Sequence, residues 1–506
     1  MDSFETGDKI TIVNRSKEHR ISKELIREIP YFERMLSHDL KESKENKVEL
    51  DFNEQALKVI LNCVELDYML IEMATVINLC NIIDYFGMDN DLMDDCVTYF
   101  HDNFTIEHLP IVVPQVTAAS RCINSEALNG FICRHFLKIA NTKVWLNYPI
   151  EIVEYILNLN LVVHSEKQVF NVISRWVNND SRSRMRYAER LLYLVRWHHF
   201  TDVDFSEITK NEFLKSAGFH PVLWQRKKRN CHRAFNRVNQ NYFIMIEHLI
   251  GTNLNVKVID SNFVQLFGRE VELDESIPLD VFHDEHVSDI FFDSGKRGIR
   301  IDWSRNKYRW LDLSTSRNYY SKIEIYINGR KEAKSFAPVS HGNPTSSPNG
   351  VIENAHLETT EKFIWLYKFR HCAYIQSSWH EKFDHKDYHA TFLGDNIYML
   401  TSSRYFIRFD SVFQEIERSR FKNTFGEFED LLITSSQVND DRVIVVDKTT
   451  KDFLCYNVKS KEWSSIDVKI NNDSTDCQMN SDELIAFTSA FLPIDAIRSY
   501  MNPELS

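Results

Sequence analysis

The residues best equipped for bond chemistry are His380, His385 and His389, with Cys372 and Asp387 nearby. Imidazole, thiolate and carboxylate are donors that a zinc ion accepts. His385 and His389 have the spacing that aligns two ligands on one face of a helix, but the surrounding pattern reads as strand and loop. Without a helix nothing makes them converge, so no metal and no cofactor is expected. His198-His199 reads as structural. No Ser-His-Asp order, glycine-rich phosphate loop or glycosidase-like pair of carboxylates falls in a context that would arm it, and Asp94-Asp95 and Asp440-Asp441 read as surface charges. The nine cysteines are odd in number and include no Cys-x-x-Cys pair, a poor framework for disulfides or zinc. Cys80, Cys96 and Cys133 sit among apolar residues as small core side chains, which fits a reducing cytosol or nucleus. The chemistry to expect is recognition, not catalysis.

Three constellations suit recognition. Leu40-x-Glu42 sets an apolar side chain beside a carboxylate, a small anchor with a polar rim. Tyr85 offers an amphipathic ring that either meets a partner or covers the core. Lys227-Lys228-Arg229, with Arg226, Arg233 and Arg237, is the most basic run. It suits a nuclear-localisation signal or phosphate contacts, but reads best as a solvated connector between two domains.

Positioning these residues takes more than one domain, because 506 residues exceed what one core organises. With 43% hydrophobic and 26% charged residues the chain has material for sizeable cores. Its formal net charge of -13 argues against a general nucleic-acid binder, which needs a basic surface. No apolar run is long enough for a membrane span, and the polar start Met1-Asp2-Ser3-Phe4-Glu5 does not read as a signal peptide. A cytoplasmic protein is expected, with the basic run as its candidate nuclear address.

Lys9-Ile10-Thr11-Ile12-Val13 alternates as a half-buried strand does, with Asn14-Arg15-Ser16 as its turn. Val76, Leu79, Cys80 and Ile83 share one side of a helix, and Gly87 fits its stop. Asn90 is a candidate cap for a second helix with the stripe Met93, Cys96, Val97 and Phe100. The order Pro30-Tyr31-Phe32, Leu40-Lys41-Glu42-Ser43, a short strand Lys47-Val48-Glu49-Leu50, a helix Gln55 to Cys63 and Ile83-Asp84-Tyr85-Phe86-Gly87-Met88 resembles a BTB (POZ) domain of the kelch-like family. The histidine-basic pair common ahead of Pro-Tyr-Phe is replaced by Ile21-Ser22, with His19-Arg20 earlier. In these relatives a helix and strand ahead of the first strand exchange between subunits to build a dimer. Few residues precede the strand here, so a homodimer is expected only from the resemblance.

From Thr105 to Phe205 helix follows helix, each apolar on one stripe, and such helices bury themselves by packing on one another. Ser165-Glu166-Lys167-Gln168 reads as a capping box, followed by the stripe Val169, Val172, Ile173 and Trp176. Ser165 to Phe170, Ser174 to Asp180 and the preceding Glu151 to Asn158 resemble the BACK domain that follows BTB in the same family.

From Tyr242 onward the texture is short strands. His389–Leu393, the turn Gly394-Asp395, Asn396–Leu400 and Tyr405–Asp410 form one unit. Arg442–Val446, Phe453–Asn457 and Trp463 form a second, Ile290–Phe292, Gly298–Asp302 and Trp310 a third, and Val256–Asp260 a weaker copy. A period of roughly forty to fifty residues with several strands per unit marks a β-propeller, which the region after Asp482 would close. After BTB and BACK this resembles a kelch propeller, with Tyr398, Asp410 and Trp463 at repeat positions. The paired glycines of kelch repeats are absent, Leu400-Thr401 and Val446-Asp447 standing there instead. Ser335 to Asn354 reads as a long exposed loop.

The expected architecture is multidomain, α+β then all-β: a BTB domain over 1–104, a helical BACK domain over 105–225, a basic linker over 226–241 and a degenerate kelch-type propeller over 242–506. The resemblance implies a non-catalytic adaptor of a ubiquitin ligase, with Leu40, Glu42 and Tyr85 contacting cullin-3 and the propeller capturing a substrate protein. The alternative it leaves open is an actin-binding or other cytoskeletal scaffold that uses BTB only for self-association.

Overall fold

The computed structural model describes residues 9–221, 237, 240–249, 251–293, 297–311, 317–333, 388–393, 396–410, 416–421, 426–435, 441–468, 483–492 and 497. The chain divides into two compact units, Met1–Leu128 and Asn129–Ser506.

The first unit is built on a three-stranded sheet in the order β2-β1-β3. β1 (Lys9–Asn14) and β2 (Lys17–Ser22) form an antiparallel hairpin that turns through Arg15 at φ 55°, and β3 (Lys47–Leu50) joins β1 in parallel. The alternation turns Ile10 and Ile12 inward. Asn14, buried at the end of β1, donates to Phe52 O at 3.1 Å and Glu54 Oε2 at 2.8 Å and accepts from Phe52 N at 2.8 Å, so its amide is satisfied where an apolar residue would leave that turn unpaired. Four-residue α1 (Lys23–Ile26) leads to α2 (Pro30–Ser37), whose proline opens the helix where no N–H is needed. Then come α3 (Lys41–Glu45), α4 (Glu54–Leu66), α5 (Val76–Phe86) and α6 (Asn90–Asn103). Gly87 ends α5 at φ 65°, its N–H on Asp84 O while Met88 N reaches Ile83 O, the paired closure that favours glycine. Asp89, not Asn90, caps α6 by accepting from Asp91 N at 3.3 Å. Cys80, Cys96, Phe86 and Phe100 are core residues of this helical layer.

α7 (Leu109–Val112) precedes α8 (Ser125–Arg134), within which the chain passes from the first unit to the second. The second unit continues with α9 (Phe136–Asn141), α10 (Lys143–Leu146), α11 (Ile150–Asn158), α12 (Glu166–Asn179), α13 (Ser181–Arg184), α14 (Ala188–Leu192), α15 (Asp202–Ile208) and α16 (Glu212–Ser216). The stripe Val169, Val172, Ile173 and Trp176 of α12 is buried. The capping box does not form. Ser165 stands at the N-cap with no side-chain bond, and Gln168 accepts from His164 N at 2.8 Å instead of from Ser165.

The remaining strands form three sheets. A seven-stranded sheet runs in the order β18 (Glu483–Phe491), β4 (Asn241–His248), β5 (Leu254–Ile259), β6 (Gln265–Leu273), β9 (Lys307–Leu311), β8 (Arg297–Asp302), β7 (Val287–Phe292). It is two antiparallel meanders joined by a two-pair parallel bridge between β6 and β9. Two four-stranded meanders follow, β10 (Tyr388–Leu393) to β13 (Ile416–Arg420) through β11 (Asn396–Thr401) and β12 (Tyr405–Asp410), and β14 (Leu431–Ser435) to β17 (Glu462–Ile466) through β15 (Arg442–Asp447) and β16 (Phe453–Asn457). α17 (Arg317–Ala333) lies between β9 and β10, with Gly329 non-helical at φ 76°. Gly394-Asp395 and the loop 335–354 lie outside the described residues.

The meanders stack face to face. Phe243 and Met245 of β4 share a cluster with Leu432, Ile444 and Val446, while Tyr398, Leu400 and Phe406 share one with Leu431, Val443 and Val445. The first strands of the meanders meet along one line: β10 packs on β14, β14 on β18, and β18 on β7. Their hydroxyls stitch that line, Ser489 donating to Ser435 O at 2.6 Å and Thr488 to Phe291 O at 2.9 Å. This arrangement is consistent with propeller blades.

Candidate protein-docking site

The loop from α2 to α3 is fixed by its own polar groups. The Ser43 hydroxyl donates to His38 O at 2.8 Å and shares a 2.9 Å contact with Leu40 O, and the His38 ring lies 2.7 Å from Arg34 O. Leu40, at the N-cap of α3, is 46% exposed, an apolar side chain held out to solvent on a braced backbone. Glu42 follows in the first turn of α3, exposed, where a carboxylate complements the helix dipole.

Tyr85, in the last turn of α5, is 53% exposed. Its ring lies 5.4 Å from Tyr31 and 5.1 Å from Phe52, and Tyr31 in turn packs on Phe32 and Phe86. Burial pushes the Tyr31 phenol up to about 12, reinforced by the field and hydrogen bond of Tyr85 and the charge of Glu42. The structure brings Tyr31 and Tyr85 together, with the charge of Glu42 acting on the Tyr31 phenol. It adds Tyr31, Phe52 and Ser43 to the residues singled out by function from the sequence. Tyr31 and Ser43 were visible only as members of the family pattern, and Phe52 carried no signal at all.

A family model of the BACK domain, described as BTB And C-terminal Kelch, matches residues 120–210. Kelch-like protein 17 of Homo sapiens is 23% identical over 169 residues, which are 33% of this chain and 26% of that protein. Kelch-like protein 26 of Danio rerio is 24% identical over 169 residues, 33% of this chain and 28% of that protein. Residues 120–210 thus match the BACK domain, and the chain is similar to kelch-like proteins. The matched stretch spans little more than a quarter of these curated relatives.

The basic run is not solvated throughout. Arg237 is fully buried, pairing with Glu166 of α12 through Nε at 2.6 Å and Nη2 at 2.8 Å and donating to Leu157 O and Leu159 O. Burial alone would raise the Glu166 carboxyl, but the Arg237 guanidinium and the Arg196 amide hold it below its usual range. Lys227-Lys228-Arg229 lies outside the described residues. A second buried network joins α8 and α9 to the sheets. Arg134 donates to His283 O at 3.2 Å, Lys138 pairs with Glu324 of α17 at 2.5 Å, and Arg300 forks onto Asp289 at 2.7 and 2.9 Å.

His389 lies on β10, not on a helix. Its ring packs on Phe428, and its Nδ1 is 3.6 Å from Asp293. His380, His385, Cys372 and Asp387 lie outside the described residues. His198 and His199 occupy a 3-10 turn with ring centroids 3.9 Å apart. Among the described residues no helix is long and apolar enough to cross a membrane.

Proposed function

We propose that this chain is a substrate-recognition adaptor of a cullin-3 RING ubiquitin ligase. Residues 1–104, folded as a BTB domain, bind the cullin through Leu40, Glu42 and Tyr85, and the sheets of 242–506, as a degenerate kelch-type propeller, capture a substrate protein. The chain itself breaks no bond. It raises the effective concentration of substrate lysines near the ligase's bound carrier enzyme. The observation that carries this reading is Leu40, apolar and exposed on a backbone braced by Ser43, beside Glu42 and the Tyr31–Tyr85 pair. An apolar anchor with its order already imposed, rimmed by a carboxylate, is how a small patch concentrates affinity.

Leu40→Asp and Glu42→Lys should each weaken cullin-3 binding at least about tenfold, measured by pull-down and by interferometry with purified cullin N-terminal region, with circular dichroism unchanged. Retained binding in both variants sinks the reading. Deleting 242–506 should leave cullin-3 capture intact while removing substrate capture in proximity labelling.

A further inference from the structure

A second surface of the first unit shares no residue with Leu40, Glu42 or Tyr85. A groove of about 740 Å3 opens between the α1–α2 turn (Glu28, Ile29, Pro30), the end of α4 (Cys63, Val64, Asp67) and the α5–α6 turn with the start of α6 (Gly87 to Asn90, Leu92). Its floor is apolar, Ile29 buried and Val64, Met88 and Leu92 half-buried, while Glu28, Asp67 and Asp89 stand exposed at its rim. Helices α4 and α5 both end here, and neither carries a basic residue in its last turn. The negative ends of their dipoles add to the potential of three carboxylates. Among the described residues no lysine or arginine lines the groove; Arg34 stands beside it, its guanidinium next to Gly87 and its Nε spent on Pro30 O. Against three carboxylates that guanidinium leaves the rim net negative. Either side of Asp67 the chain exposes Leu66 at 68% and Tyr68 at 59%, so apolar surface flanks the acidic lip.

We propose that this groove docks a basic-apolar peptide segment of a partner protein, one that sets a leucine-like side chain on Val64 and Leu92 and lysine or arginine against Glu28, Asp67 and Asp89. Charge complementarity selects the class. An acidic peptide or a nucleic acid would meet the same carboxylates as repulsion, and an uncharged apolar segment would leave them unanswered. Cys63 reports on the site from within. It is a half-buried free thiol, pushed up by burial and then by Asp67 and Glu28.

The probe is a fluorescent synthetic peptide of alternating leucine and lysine, with a leucine-glutamate peptide as its counterpart, titrated onto the full chain by polarisation. The lysine peptide should bind and the glutamate peptide should not. The double variant Asp67→Lys, Asp89→Lys should weaken binding at least about tenfold. Asp94→Lys, Asp95→Lys, which makes the same charge change at two exposed positions of α6 outside the groove, should change it less than about twofold. Val64→Asp should also abolish binding, because it puts a charge on the floor. Bound peptide should slow alkylation of Cys63 by N-ethylmaleimide, read by peptide mass mapping. Equal loss in the two lysine pairs would reduce the effect to net charge and overturn the proposal, as would a Cys63 that the peptide leaves unprotected. A dimer that Asp67→Lys, Asp89→Lys dissociates, seen by analytical ultracentrifugation, would make a second copy of the chain the occupant and equally overturn it.

Discussion

Two histidines with the same ring sit in different surroundings in the second unit. His389, packed on Phe428 within reach of Asp293, sits at a sheet seam. His283 is buried beside the Arg134 and Arg300 guanidiniums, and burial first and those charges second push it down to about 3 against the opposing pull of Asp289. In the unfolded chain that imidazole titrates near 6.5. Below that pH the unfolded state takes up a proton the folded state refuses, so stability is full above pH 6.5 and is lost as pH falls toward 3. The carboxylates with lowered values act lower in the scale, which leaves the upper part of the window to histidine. Stability of the second unit should fall by on the order of 1–2 kcal/mol per such histidine between about pH 6.5 and pH 5. His283→Gln should flatten the decline without abolishing it, because His135 is also buried and held down by burial and Arg134. Urea midpoints across this range measure it, and an unchanged slope in the variant refutes it.

Among the elements, the turns explain how the chain folds its meanders without paired glycines. In three sheets the second strand ends in a buried polar residue, Asp302, Thr401 or Asp447. Its side chain accepts the turn amides: Arg305 N at 3.1 Å on Asp302, Tyr405 N at 3.1 Å on Thr401 and Thr449 N at 2.8 Å on Asp447, which also accepts from Gly426 N at 2.7 Å ahead of β14. Asn306, Arg404 and Lys451 take the left-handed backbone that glycine would otherwise supply. The junction of helices and sheets depends on a different device, the Arg237–Glu166 pair. Truncating the arginine leaves a carboxylate at 1% exposure with no guanidinium. Arg237→Ala should therefore cost about 3–5 kcal/mol, read as a lowered denaturant midpoint. Arg237→Leu with Glu166→Leu should recover much of it, since the pair's own desolvation is removed as well. Equal losses in the single and the double variant would show that packing, not charge, holds the junction.

For the whole molecule, the decisive pairing is β18 on β4, residues 483–491 against 241–248. Phe487 stacks on Phe243 with centroids 5.4 Å apart and meets Phe453 at 4.9 Å in one cluster, while Ala486 and Ala490 pack in another with Ile244 and Ile246, so the last strand belongs to two clusters at once. Without it β4 becomes an open edge and the line of first strands loses a member. A chain ending at residue 482 should lose cooperative unfolding of the sheets and expose 242–482 to protease, while the first unit keeps its fold. A truncated chain whose sheets still resist protease would deny β18 that role.

Much of this was legible in the sequence, and for one reason: period. Helical spacing exposed α5, α6 and α12, alternation exposed β1, and short apolar runs exposed β11 and β15, because burying a face fixes which positions are apolar. The family patterns placed Leu40, Glu42 and Tyr85 in their elements. Contacts between distant residues leave no such trace. Nothing in the residue types marks Arg237 as buried when its basic neighbours read as solvated, or Phe52 as the partner of Tyr85, or Gln168 as the acceptor for His164. Those outcomes depend on which surfaces meet, and only packing in three dimensions decides that.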